Sequence, residues 1–126
     1  MNKERAEAAP PTREKRHKRP VVLDASAVLA VFLHEPGWDA VAQEFKNARI
    51  SAVNASEVLT RLIEKGATAR IVEFAERTMV EMAEPFDYAQ AARAARLRTA
   101  TRDAGLSLGD RACLALAEAL VAPVVT

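Results

Sequence analysis

Val21-Val22-Leu23-Asp24-Ala25-Ser26 is a short apolar run that ends on a carboxylate, with a hydroxyl two residues later and a helix-like pattern behind it. A buried strand that finishes on an acid delivers that acid to the edge of a sheet. In open α/β sheets that edge is where ligands bind. From Asp24 to Leu33 the residues Ala27, Leu29, Ala30, Val31 and Leu33 give a broadly apolar helical face. His34-Glu35-Pro36-Gly37 stops it, because Pro and Gly end helices and open turns. His34 at that end complements the helix dipole or faces solvent.

The same alternation continues along the chain. Trp38 to Asn47 carries Trp38, Val41, Ala42 and Phe45 at the i, i+3, i+4, i+7 spacing of an amphipathic helix, with Trp38 expected as a core anchor. Arg49 to Val53 reads as a second strand. Asn54-Ala55-Ser56-Glu57 opens a helix that runs to Lys65 and stops at Gly66. A further helix spans Ala67 to about Arg77, and Met79-Val80-Glu81-Met82 alternates as a strand does. Glu84-Pro85-Phe86 turns the chain, and Asp87 caps an Ala-rich helix from Tyr88 to Ala100 that carries Arg93, Arg96 and Arg98, with Arg102 just beyond. Gly105 to Gly109 breaks it before a last helix, Asp110 to Leu120, and Pro123-Val124-Val125-Thr126 starts a final strand. Strands alternating with helices argue an α/β fold whose parallel central sheet is covered on both faces.

Composition sets the bounds. The 126 residues suffice for one core, and 28% charged residues suit a globular protein. One cysteine permits no intrachain disulfide, which suits a reducing cytoplasm. No apolar stretch approaches the roughly 18 residues of a membrane span, and the charged N-terminus lacks the apolar region of a secretory signal. Residues 1–20 hold seven Lys or Arg and three Glu, with three prolines and no aromatic. They read as a disordered basic arm, a nucleic-acid contact or a solubilising leader, and residues 21–126 as the folded domain. His17, within the arm, has no partner in view. The domain is net −3, so bulk charge alone does not draw it to nucleic acid.

Asp24, Glu57 and Asp110 each stand where a helix begins, and each has a structural role open to it. Asp24 can cap the helix that follows, Asn54 to Glu57 has the shape of a capping box, and Ser107 to Asp110 is a variant of it. Together they suggest more. Turns leading from parallel strands into helices lie along one edge of the sheet, which directs Asp24 and Glu57 to one crevice. Clustered carboxylates repel unless a cation neutralises them, and Mg²⁺ meets that need with oxygen ligands.

Val22-Leu23-Asp24-Ala25-Ser26-Ala27, Ser51-Ala52-Val53-Asn54-Ala55-Ser56-Glu57-Val58 and Leu106 through Ala117 closely resemble the three best-marked blocks of PIN-domain proteins, above all VapC-type toxins of bacterial toxin–antitoxin pairs. Glu84-Pro85-Phe86-Asp87 falls where such toxins often carry a similar phrase. The resemblance spans roughly residues 20–126. It implies a three-layer α/β/α sandwich and a Mg²⁺- or Mn²⁺-dependent endoribonuclease held silent by a cognate antitoxin. On it, Asp24, Glu57 and Asp110 become metal ligands, directly or through water. Ser26 orients Asp24 or a ligand water, and Thr126 marks the edge of the site. The family usually places a fourth acid just past the last strand, and the sequence stops at Thr126 before that position, so the expectation is either a domain truncated at its C-terminus or a site that lacks the fourth ligand and part of its metal affinity. Arg93, Arg96 and Arg98 are candidates to hold the RNA backbone. A homodimer is expected from the apolar helices near residues 28–33 and 58–72. Two other readings stand beside this one. The first is a catalytically weak PIN module that binds antitoxin or itself. The second is a haloacid-dehalogenase-like phosphatase, disfavoured because Ser26 stands where that family places a second Asp.

Overall fold

The computed structural model describes residues 19–100 and 105–126, so nearly all of the basic arm, with His17, and Arg102 lie outside the described residues. The first strand, β1 (Val21–Leu23), is central to the sheet. On one side it pairs with β2 (Ala48–Ser51), Val21 opposite Ala48, and β2 pairs with β3 (Ala83–Glu84), Ile50 opposite Ala83. On the other side β1 pairs with β4 (Val124–Val125), Val22 opposite Val124. All pairings are parallel and the order is β3-β2-β1-β4. The chain builds outward from β1 through β2 to β3, then crosses back to lay β4 on the opposite flank. That reversal puts a switch point between β1 and β4, where open parallel sheets form a ligand crevice.

The period of two along β1 assigns its side chains to two different cores. Leu23 packs with Val28, Ile50, Val58, Leu62, Ala75 and Met79 on one face. Val22 packs with Cys113, Leu116 and Ala117 on the other. Helices α1 (Ala25–Phe32), α3 (Ala52–Glu64) and α4 (Ala69–Val80) supply the first layer, with the short α2 (Trp38–Ala42) against α1. Helices α5 (Tyr88–Ala100) and α6 (Leu108–Leu120) pair with each other, and α6 lies on the sheet as the other layer. This is the three-layer α/β/α sandwich. No helix among the described residues is long and apolar enough to cross a membrane.

Several boundaries differ from the sequence reading, each for a local reason. Met79-Val80-Glu81-Met82 is not a strand: α4 continues through Val80, and the strand is Ala83–Glu84. Ala75, Met79 and Met82 are all buried, a spacing of four then three that a helical turn satisfies, and the Met82 N–H donates to the Met79 carbonyl. The second strand ends earlier, at Ser51, because the Ser51 hydroxyl accepts from the Val53 N–H and starts α3 there. Asn54 is therefore inside α3, and Asn54 to Glu57 is not a capping box. The helix expected over Trp38–Asn47 breaks into α2 and a 3₁₀ turn at Phe45–Asn47. Trp38 is half-buried and stacks on His34, rings 4.3 Å apart and 5° from parallel, rather than anchoring the core.

Candidate metal centre

Asp24 leaves the end of β1 and caps α1. Its Oδ1 accepts from the Ala27 N–H at 2.9 Å and from the Ser26 hydroxyl at 2.9 Å, which fixes the carboxylate at the switch point. The expected cap is therefore present, and it also aims the acid. Glu57 projects from the second turn of α3. Its Oε1 accepts from Asn54 Nδ2 at 3.0 Å, and the same amide nitrogen donates to the Gly109 carbonyl at 3.0 Å. Asp110 lies in the first turn of α6 inside a true capping box. Ser107 Oγ accepts from the Asp110 N–H, and Asp110 Oδ2 accepts from the Ser107 N–H, both at 3.1 Å.

These three acids, from elements far apart in sequence, line one cleft of about 170 Å³ together with Ser26, Asn54 and Arg61. A neighbouring cleft of about 190 Å³ shares Asp24 and Asp110 and is walled by Leu106, Cys113, Leu114, Val124 and Thr126. Thr126 thus borders the acids from the β4 side. A larger cavity, about 610 Å³, is an apolar groove past α6 that the acids do not line, where Glu118 is the charged lining residue. Glu118 is paired with Arg93 at 2.9 Å, so that groove offers little chemistry.

The thiol of Cys113 records the electrostatics of the acid cluster. Its pKa is pushed up to about 12, first by burial and then by the negative charges of Asp24, Asp110 and Glu57. Three carboxylates of one sign therefore act on a single buried point. Their hard oxygens suit Mg²⁺ or Mn²⁺. Each acid has one oxygen held by the hydrogen bonds above and a second that makes none among the described residues. Among the described residues, however, no three His, Cys, Asp or Glu side chains stand close enough to hold an ion between them. The donors fit by chemistry, and binding an ion requires them to draw together.

Arg93, Arg96 and Arg98 do not line this cleft. Arg93 is engaged by Glu118, and Arg96 and Arg98 are exposed on α5. The cation that does line it is Arg61, which the sequence reading passed over although it stands one helical turn after Glu57. Asn54 and Gly109 were also passed over as site residues. Asn54 stands one turn before Glu57, a readable spacing, but its link to Gly109 spans 55 positions and needs the fold.

No curated protein matches the chain. The PIN domain family matches residues 21–126, the span that holds the four strands and six α-helices of the described residues. PIN domains are typically metal-dependent nucleases, which agrees with a carboxylate-lined cleft at a sheet edge. On that match and this architecture, the chain belongs to the PIN domain family.

Proposed function

We propose that this PIN domain is a divalent-metal-dependent endoribonuclease and, more narrowly, a VapC-type toxin that a cognate antitoxin silences. The observation that carries the reading is the convergence of Asp24, Glu57 and Asp110 on one cleft at the switch point of a parallel sheet. Those three carboxylates would hold Mg²⁺ or Mn²⁺. The ion would supply a more acidic water and offset the negative charge that develops on phosphate oxygens. Ser26 keeps Asp24 in its rotamer. Arg61, on the same wall, offers a guanidinium to a phosphate oxygen, a contact that positions RNA without reading its sequence. By resemblance to the family, hydrolysis would leave a 5′-phosphate and a 3′-hydroxyl.

A partner surface belongs to the same reading. Ile63, Ile71 and Phe74 are 61%, 41% and 54% exposed on α3 and α4, apolar area that one small domain does not bury. A second copy of the chain or the antitoxin would cover it.

The test is cleavage of a mixed RNA pool by the 126-residue chain with Mg²⁺, with Mn²⁺ and with EDTA, beside Asp24→Asn. Metal-dependent cutting that Asp24→Asn lowers by at least about 100-fold is the expected outcome. Cutting that survives EDTA, or that Asp24→Asn leaves intact, overturns the reading. A second reading is a PIN module that acts by binding: the three acids share one cleft, but among the described residues no three stand close enough to hold an ion between them. Silence in every sample would select this second reading.

A further inference from the structure

Glu57 is held in the cleft by two features that have no part in the acid set itself. The first is Asn54, 2% exposed, whose Nδ2 bridges Glu57 Oε1 and the Gly109 carbonyl. Both partners are acceptors, so the amide must present its nitrogen to them. Its Oδ1 is then buried with no partner. An orphaned buried carbonyl oxygen is a cost that an apolar residue of the same shape would not carry. Asn at this place therefore answers a need for the donor, not for packing.

The second feature is the bare backbone of Gly109, which is itself buried. A Cβ built there collides with Glu57 Oε2 and comes within 2.7 Å of Oε1 and 2.8 Å of Cδ. Gly109 lies inside α6 with no positive φ, so the backbone conformation does not demand glycine. The carboxylate of Glu57 occupies the space a side chain would take. It rests against the first turn of α6, next to Asp110.

We propose that Asn54 and Gly109 are positioning residues for divalent-ion binding: the Asn54 amide holds the Glu57 carboxylate, and the missing Cβ of Gly109 lets it lie beside Asp110. This rests on the metal-dependent reading above. In this role neither residue would need to be a ligand of the ion. Asn54 ties α3 to the start of α6, so the bridge also fixes the spacing of the two elements that carry Glu57 and Asp110.

Mn²⁺ binding to the purified chain, followed by the loss of the free-ion paramagnetic resonance signal, gives a readout separate from RNA cleavage. Asn54→Leu and Gly109→Ala should each weaken Mn²⁺ binding about 10- to 100-fold, the range seen for residues that orient metal ligands. A melting cycle without added ion asks whether Gly109 acts through Glu57. The colliding atoms are the far end of a flexible side chain, so Gly109→Ala should push the Glu57 carboxylate aside with little loss of melting temperature, and should cost nothing when placed on Glu57→Ala. Wild-type-like Mn²⁺ affinity in both Asn54→Leu and Gly109→Ala overturns the proposal. So does a melting penalty for Gly109→Ala in the Glu57→Ala background. Should Asn54→Leu fail to fold, Gly109→Ala decides alone. A wild-type chain that takes up no Mn²⁺ removes the metal-centre reading, and the proposal falls with it; loss of the proposal alone leaves wild-type binding untouched.

Discussion

Asp24 caps a helix with the same carboxylate that it presents to the cleft, and the two duties can be separated by substitution. Asn caps as well as Asp does, whereas Ala does not. Asp24→Asn should therefore melt close to wild type while metal-dependent cleavage falls by at least about 100-fold. Asp24→Ala should lose the same activity and about 1 kcal/mol of stability besides, read by urea unfolding. Equal destabilisation by both would mean that the cap contributes nothing. Cys113 offers a pH test at the same scale. Its thiol titrates near 9.0 when unperturbed and is pushed up to about 12 in the folded chain, by burial first and then by the nearby acids. Below pH 9 both states keep the proton and the stabilisation is complete. Above it the unfolded chain releases the proton and the folded chain does not, so stability falls as pH rises towards 12. Wild type should lose about 1.4 kcal/mol per pH unit more than Cys113→Ala between pH 9.5 and 11. Parallel slopes in urea unfolding would remove the effect.

Ser107 and Asp110 close a capping box at the start of α6, and that box also stations Asp110 at the mouth of the cleft. Ser107→Ala should cost about 0.5–2 kcal/mol in unfolding experiments. The Asp110 carboxylate still has the Ser107 backbone N–H as a donor, so Mn²⁺ affinity should fall less than in Gly109→Ala. This box was legible in the sequence because its geometry is local, three residues from cap to acid. So were α5, with Asp87 accepting from the Gln90 N–H at its start, and β1, whose apolar run is buried from both sides. The failures came where local pattern and tertiary context disagree. Four alternating residues at Met79–Met82 imitate a strand, yet two methionines three apart face the same core from one helix end. Trp38 fits an amphipathic stripe, but the chain leaves the helix four residues on, and the indole finds His34 instead. The acids stand where the sequence shows helices beginning: Asp24 at the turn from β1 into α1, Glu57 in the second turn of α3 and Asp110 in the first turn of α6. What holds Glu57 was not legible, because a missing Cβ at Gly109 matters only once α3 and α6 meet.

At the scale of the molecule, reversal of strand order sets Asp24 at the switch point, and the ends of α3 and α6 add the other two acids. The site therefore depends on how the layers close rather than on any one segment. The same closure leaves apolar surface outside. The helices near residues 28–33 and 58–72 were expected to exceed one core, and they divide. Val28, Leu29, Val58 and Leu62 are buried, while Ile63 and Ile71 stay exposed beside Phe74. Ile71 and Phe74 are three apart on α4 and so share a face. Phe74 leans its ring edge against Phe32, centroids 6.0 Å apart, which makes it partly structural. Ile71 carries no such duty in the core and is the better probe. If this face pairs two copies, sedimentation of the wild type at tens of micromolar should give the mass of a dimer. Ile71→Glu should give that of a monomer, because two new charges would face each other across a two-fold interface. Its melting temperature at low protein concentration should stay close to wild type, since the substituted position is already in contact with water. A monomer in both samples would leave the face to a heterologous partner. A dimer in both would place self-association on another surface.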